Sequence, residues 1–303
     1  IRAFYTHVVV VPYTMDQHLR GLHNLRSPQP STVYRLGSEP RRDVAPSGPR
    51  SLSEIRDSGV LRACYFGGNY PLAFFNSDDE LVGFDIEMTH RFAARLDVDL
   101  EFIHIKSPQD LIDGYCDVFF NSLALNPDRA EFSAATAPFN QITVGFVVPH
   151  QRRDQFVTWN AIEALGEITV AASTFQSVPP EVSRRIPEAE VVRLSSYEEQ
   201  RKFFESGGES AVAMIDSAEE GAAWTILYPL FAVVVPRPVI QLPIVYQVAP
   251  DNPVLLRAVD DWLALEQATG GIDEIYDYWV QGRTEQIDAP RWSVIRDVLG
   301  WVD

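Results

Sequence analysis

Only two cysteines and three methionines occur in 303 residues. Cys64 and Cys116 form no CxxC pair, nor any other spacing that would bring several thiolates to one metal ion. The expectation is two small buried thiols on core strands, with a disulfide as the alternative. The six histidines, His7, His18, His23, His90, His104 and His150, are scattered without an HExxH or other paired spacing. No metal and no other cofactor is expected. Long apolar runs are missing too: nothing approaches the roughly 18 to 20 residues that span a bilayer, and His7 to Tyr13 is a short strand-like patch. The chain reads as soluble. It starts at Ile1 with no charged-then-apolar leader, which reads as a processed protein or a piece of a larger one.

Positive charge is scarce, 25 Lys and Arg against 42 Asp and Glu, for a formal net charge of −17. That field repels a phosphate backbone, so nucleic acid is excluded as a partner and anionic membrane surfaces are poor ones. It also disfavours an anionic ligand at long range, because any carboxylate must then be held by cations near contact distance. Individual arginines become informative.

What is present is core-forming material. The chain is 46% hydrophobic with 17 Phe, 11 Tyr and 6 Trp, enough for a large core and two domains. Residues 27–50 are rich in Pro, Ser, Gly and Arg without periodicity and read as a solvated linker, with a boundary near Ser51. Beyond it, short apolar runs alternate with amphipathic ones. Ser53 and Glu54 open a helix that stops at Gly59, Val60 to Phe66 reads as a strand, Asp85 to Leu96 as a helix and Leu100 to Ile105 as a strand. Ser107 and Pro108 start another helix, followed by a strand over Cys116 to Ser122. Glu167 to Ala172, Glu190 to Leu194 and Ser210 to Ile215 are strand-like. Ser196 with Glu199, and Ser217 with Glu220, have the pattern of reciprocal capping boxes. Asn252 and Pro253 cap a long helix ending at Gly270 and Gly271, and Ile272 to Val280 is a last helix. This alternation predicts an α/β fold with mainly parallel sheets covered by helices. The expected division is an N-terminal segment and linker over 1–50, a first lobe over 51–147, a second over 148–240, a return to the first over 241–283 and a tail over 284–303. Ile142 to Pro149 and Val233 to Val248 are the expected crossovers and hinge.

Ligands of open parallel sheets sit beyond the carboxyl ends of the strands, and three places there carry chemistry. In the loop from Phe66 to Pro71, glycines let backbone approach a ligand, Phe66 or Tyr70 can stack on it and Asn69 can bond it; an ordinary Gly-Pro turn is the alternative. Along Asn121 to Arg129, Asn126 is a good helix cap. Arg129 in the first turn opposes the helix dipole and so needs an anion, which is either a ligand carboxylate assisted by amides near Ser122 and Ala124, or Asp128, Glu131 or another acid. Asp216, after an apolar strand and before Ser217, suits an ammonium group or serves as a charge at the helix start. Glu219 and Glu220 read as helix-start charges rather than ligand contacts.

These residues are familiar together. From Ser51 to about Gly282 the chain resembles family 3 of the extracellular solute-binding proteins, which have the type II periplasmic binding fold shared with ligand domains of ionotropic glutamate receptors. The resemblance rests on Leu52-Ser53-Glu54-Ile55-Arg56 with Gly59-Val60-Leu61-Arg62, on Glu80-Leu81-Val82-Gly83-Phe84-Asp85-Ile86-Glu87, and on Gly114-Tyr115-Cys116-Asp117. It continues through Pro127-Asp128-Arg129-Ala130-Glu131, Pro138-Phe139 and Gly271-Ile272-Asp273-Glu274-Ile275-Tyr276 with Trp279. It implies two lobes, each a mainly parallel sheet flanked by helices, joined by two crossover strands. It further implies an amino acid ligand, with a dicarboxylate as the alternative. Arg129 would then clamp the ligand carboxylate with help from Ser122 and Ala124, and Asp216 would hold its amine. Thr174, in Ser173-Thr174-Phe175, would complete the site; Phe175 and Ala124 depart from the hydroxyls usual there. Gly21 to Tyr34 and Arg291 to Leu299 resemble flanks of a version of this domain appended to membrane transporters akin to dicarboxylate and cation symporters. A periplasmic or otherwise extracytoplasmic setting and a membrane transporter as partner, separate or in the same polypeptide, follow as expectations. The chain is expected to bind rather than to catalyse. A ligand-sensing receptor domain, or an enzyme resembling cyclohexadienyl dehydratase on the same fold, is the alternative.

Overall fold

The computed structural model describes residues 24–35, 48–76, 78–105, 109–126, 133–173, 178–194 and 197–281. Arg129, Thr174, Ser196 and the stretches His7 to Tyr13 and Arg291 to Leu299 lie outside the described residues. The first described strand falls inside the expected linker, at Ser31–Tyr34 (β1). The first helix, Leu52–Ser58 (α1), begins one residue earlier than the expected opening at Ser53. Ser51 accepts from the Glu54 N–H, the Glu54 carboxylate answers the Ser51 N–H, and Gly59 closes the helix in the left-handed conformation.

Lobe 1 continues through Val60–Tyr65 (β2), Phe74–Phe75 (β3), Leu81–Val82 (β4), Phe84–Leu96 (α2), Asp99–His104 (β5), Gln109–Ile112 (α3), Val118–Ala124 (β6) and Ala134–Ala135 (β7). The long strand Asn140–Pro149 (β8) leads into lobe 2. There follow Trp159–Glu163 (α4), Thr169–Ser173 (β9), Pro180–Arg185 (α5), Glu190–Leu194 (β10), Tyr197–Glu205 (α6), Ala213–Ser217 (β11), Ala218–Leu227 (α7) and Phe231–Val234 (β12). Gln241–Val248 (β13) returns to lobe 1, and Pro253–Thr269 (α8) and Gly271–Trp279 (α9) complete it.

Among the described residues the strands β1, β5, β2 and β6 are neighbours in parallel, and β10, β9 and β11 form a second parallel set. Antiparallel β13 and β8 stand between the two sets. Strand β8 belongs to both. Its residues up to Thr143 pair with Gln241 to Ile244 of β13, while Val144 to Val147 pair with β11. The lobes are therefore joined by continuous extended chain, through β8 and through the segment from β12 to β13.

Each lobe has its own apolar core. Lobe 1 packs Phe92, Phe120, Tyr246 and Trp262 between its sheet and helices α2 and α8, with the Phe120 and Tyr246 rings stacked 4.2 Å apart. Lobe 2 gathers Phe146, Phe156 and Trp159 around Val170 and Ile215. Helix α7 spans the junction: Ala223 is buried in the lobe 1 core, and Leu227 packs against both lobe 1 and the aromatic cluster of Phe203, Phe204 and Trp224.

Cys64 and Cys116 are joined in a disulfide, with 5.6 Å between their Cα atoms, which corrects the expectation of two free thiols. Cys64 lies on β2 and Cys116 just ahead of β6. These strands are parallel neighbours, with Ala63 opposite Val118, so the fold brings together thiols that have no informative spacing along the chain.

Strand β1 belongs to a strap that completes lobe 1. It adds to the edge of β5 with Ser31 opposite Leu100. Ahead of it, the Arg26 N–H donates to both oxygens of Glu87 at 3.0 and 3.2 Å, and Trp279 Nε1 donates to Oε2 at 2.9 Å. The Gln29 N–H donates to His90 Nδ1 at 3.0 Å. Glu87, in the first turn of α2, and His90, in its middle, are both buried, where polar groups without partners are costly. Burial pushes His90 down to about 4, so its ring is neutral and Nδ1 is free to accept. The Arg26 side chain pairs with Glu274 at 2.7 Å, and Tyr278 donates to the Asn24 carbonyl at 3.0 Å. Deleting residues 1–35 removes these donors and is expected to lower stability by about 2 kcal/mol or more. Urea unfolding of the shortened and full chains checks this; equal midpoints and slopes would mean the strap contributes nothing.

Candidate functional site

The site is built where the first turn of α2 meets the end of β6. Gly83 holds φ 129°, and a Cβ there would collide with the Leu72 carbonyl. Only glycine allows this turn, which seats the Phe84 and Asp85 N–H groups on the carbonyls of Pro71 and Leu72 at 3.1 and 2.9 Å. Asp85 is thereby fixed inside lobe 1. Its Oδ1 accepts from Ser122 Oγ at 2.5 Å and from Tyr246 Oη at 2.9 Å. Its Oδ2 is buried and has no hydrogen-bond partner. Burial pushes the Asp85 carboxyl up to about 7, against the opposing pull of the Ser122 and Tyr246 hydrogen bonds. The Tyr246 hydroxyl is raised by burial and then by the Asp85 charge.

Lobe 2 contributes three more acids, from the end of β11 and the start of α7. Asp216 is 8% exposed, lies opposite Gly145 of β8, and accepts from the Ser217 N–H at 2.8 Å. Ser217 caps α7 by accepting from the Glu220 N–H at 3.0 Å. The expected capping box is only half formed, because the Glu220 side chain is hydrogen-bonded to Asp216 instead of reaching back to the cap. Glu219 turns inward as well, accepting from the Thr143 N–H at 3.3 Å. Both glutamates stand in the first turn of α7, as expected of helix-start acids, and both are buried. Gly221 explains how the helix sits so deep, since a Cβ there would come within 2.8 Å of Val147 Cγ2 and 3.0 Å of Val233 Cγ2.

The electrostatics follow from that burial. Glu219 is pushed up to about 7 by burial, against the Thr143 hydrogen bond and with added push from Asp216. Glu220 is pushed well above the carboxylate range by burial first, then by Asp216, by Asp85 from the opposite lobe, and by Glu219. Its hydrogen bond with Asp216 adds to that upward push. Acids from both lobes thus push one another's carboxyl groups up at the junction. Among the described residues no group of three or more His, Cys, Asp or Glu is arranged to hold a metal ion.

The residues singled out in the sequence fall in different places. Ser122 and Ala124 end β6, and the Ser122 hydroxyl is engaged by Asp85. Asp216 is at the junction. Phe66 packs into lobe 1 with its ring edge-on to Phe119 at 5.1 Å, among Cys64, Ile103 and Leu123. Tyr70 leans on Phe74 at 4.8 Å. Asn69 closes the loop: its carbonyl accepts from Leu72 and Ala73, and its N–H donates to the Ala73 carbonyl. Both aromatic rings are thus engaged in packing within lobe 1. Asp85, Tyr246, Glu219 and Glu220 were not picked out as site residues. An acid in the first turn of a helix is ordinary in a sequence, and the partners of Asp85 lie 37 and 161 residues away.

Residues 61–282 match the family model of the bacterial extracellular solute-binding proteins, family 3. A cyclohexadienyl dehydratase from Pseudomonas aeruginosa is 21% identical over 239 residues, 77% of this chain and 87% of that protein. An ancestral amino acid-binding protein described as a precursor of cyclohexadienyl dehydratase superposes with a TM-score of 0.65 at 22% identity, covering 75% of this chain and 98% of its own. The solute receptor for L-cysteine of Neisseria gonorrhoeae superposes with a TM-score of 0.67 at 20% identity, over 77% of this chain and 94% of its own. At these identities the solved structures establish the shared fold, the type II periplasmic binding architecture.

Proposed function

Because the chain belongs to the bacterial extracellular solute-binding proteins of family 3, we propose that it captures a small carboxylate-bearing solute, an amino acid before a dicarboxylate, by closing two lobes around it. Asp216 carries this reading: a largely buried carboxylate at the end of the central strand of lobe 2, suited to an ammonium group. Arg129 and the backbone around Ser122 and Ala124, with Thr174 from lobe 2, take the ligand carboxylate. The hinge is the extended chain through β8 and from β12 to β13, which can bend without unpacking either core. The captured solute is handed to a membrane transporter, and the domain works outside the cytoplasm. The Cys64–Cys116 disulfide suits an oxidising compartment, and no helix among the described residues is long and apolar enough to cross a membrane.

The test is a thermal-shift screen against amino acids and dicarboxylates. A ligand at 100 times its dissociation constant adds about 2.7 kcal/mol to stability. The hit is expected among the amino acids, and Asp216→Asn should weaken it by about 1.5 to 3 kcal/mol. Succinate-like solutes that bind as well or better after Asp216→Asn would move the assignment to dicarboxylates. The relationship to a dehydratase, together with a buried Glu220 whose carboxyl is pushed well above the usual carboxylate range, favours one second reading, acid catalysis at Glu220. Incubation with prephenate or arogenate is expected to yield no product, and turnover abolished by Glu220→Gln would establish the enzyme.

A further inference from the structure

The strap over lobe 1 is fastened to α2 at two points whose spacings match. Along the strap the donors are the backbone N–H groups of Arg26 and Gln29, and along α2 the acceptors are Glu87 and His90, so both pairs are three residues apart. The two fastenings differ chemically. Glu87 meets the Arg26 N–H with both carboxylate oxygens, and Trp279 Nε1 reaches one of them as well. His90 has one lone pair to give. Its Nδ1 accepts the Gln29 N–H at 3.0 Å only while that nitrogen carries no hydrogen, and an imidazolium carries one on each nitrogen. A proton on Nδ1 sets two donors face to face, and the charged ring has no other acceptor to turn towards the strap.

The elements around the ring hold it neutral. His90 is 1% exposed, and its ring lies 5.3 Å from that of Phe102 on β5. The charged groups on those elements are engaged elsewhere: Arg91 of α2 with Glu266 of α8 and Glu274 of α9, Arg26 of the strap with Glu274, and Glu101 of β5 with Arg62. Strands β4 and β6 carry no charged residue. Burial is thus what keeps the proton off, down to about 4.

We infer that the His90–Gln29 contact is an acid-released latch, in which a proton on Nδ1 frees the front of the strap, residues 24–30, from α2 while both lobe cores stay folded. The rear of the strap remains, because β1 pairs with β5, and Arg35 is tied to Asp79 at 2.9 Å and lies over the Phe75 ring. The latch does not depend on what the lobes bind. Once the front lifts, the ring meets water and takes a solvent proton near its ordinary pKa of about 6.5. Between about 6.5 and 4, each unit of acidification therefore shifts the balance about tenfold towards the open strap. Below about 4 the closed form is protonated too, and the effect levels off.

The experiment is amide exchange on the full chain, followed residue by residue by NMR and corrected for the intrinsic effect of pH on exchange. Protection of the Gln29 N–H is expected to fall roughly a hundredfold from about pH 6.5 to about pH 4.5. Near-ultraviolet circular dichroism, which reports the packed aromatic cores, should keep its folded signal over that range. In His90→Asn the side-chain oxygen stands close to the place of Nδ1, accepts the same N–H and does not titrate. Its Gln29 protection should change by less than about threefold. The ring nitrogens of wild-type His90, read in the same spectra, should show the hydrogen on Nε2 at neutral pH. Gln29 protection that stays constant in the wild type, or that falls only where the dichroism signal is lost, would overturn the latch. So would a loss as steep in a cooperatively melting His90→Asn, or a wild-type ring with its hydrogen on Nδ1.

Discussion

Reducing the Cys64–Cys116 disulfide is expected to lower the unfolding free energy by about 4 kcal/mol. The two cysteines are 52 residues apart in sequence, and closing a loop of that length removes much of the freedom of the unfolded chain, while the folded state already holds these strands side by side. The loss should be read from urea unfolding with and without a phosphine reductant. A Cys64→Ser, Cys116→Ser double variant should show a similar deficit and no response to reductant. It should also be flagged by a lower melting temperature before any effect on ligand binding, because the bond ties β2 to the chain entering β6 within the core of lobe 1. Oxidised and reduced protein unfolding at the same urea concentration would show that the bond constrains nothing.

The second large effect is a dependence on pH that runs opposite to ordinary acid denaturation. An aspartate ordinarily loses its proton near pH 3.9, whereas Asp85 holds it to about 7. Below about pH 4 both folded and unfolded chains are protonated there; between about 4 and 7 only the folded chain is. The folded state therefore binds the extra proton, and its stability falls with rising pH across that window by roughly 1.4 kcal/mol per unit for this one group. Glu219, raised to about 7, acts in the same direction. His90 acts the other way, because a histidine held neutral down to about 4 makes the folded state gain stability as the pH rises from about 4 to 6.5. The wild-type curve sums these, so the clean measurement is a difference. Asp85→Asn keeps an acceptor for Ser122 and Tyr246 and removes the titration. Relative to wild type, it should gain about 3 kcal/mol between pH 5 and pH 8. Parallel stability curves for the two proteins would refute the account.

Much of the scaffold was legible because its signals are local. Strand β10 is placed as expected, and β2, β5 and α2 fall within about a residue or two of the expected limits. Apolar runs between glycine, proline and capping residues suffice for that. The family motifs supply the two-lobed arrangement. What was missed depends on distant partners. Four residues of β1 become a strand only against the edge of β5, and the buried Glu87 and His90 of α2 find their partners in the strap, 61 residues away. Glu220 sits in a sequence that suits a capping box equally well, and the choice is made by Asp216 and the depth that Gly221 allows. Ser122 is expected beside the ligand carboxylate, and that its hydroxyl also donates to Asp85 of α2 depends on a partner 37 residues away. The disulfide left no trace in cysteine spacing.

The shared strand β8 has a consequence for the order in which the chain is assembled. The strands of lobe 2 come from one unbroken stretch, from Val144 in β8 to Val234 in β12. Lobe 1 must wait: β13 lies between β6 and β8, with Val248 opposite Val118, and nothing before residue 241 can fill that place. Chains made from the N-terminus fold by units as they emerge. The part made second is then the first that can finish its core, while β6 stays without one neighbour until β13 arrives. Lobe 1, which carries Asp85 and the strap, closes around a lobe 2 that is already formed.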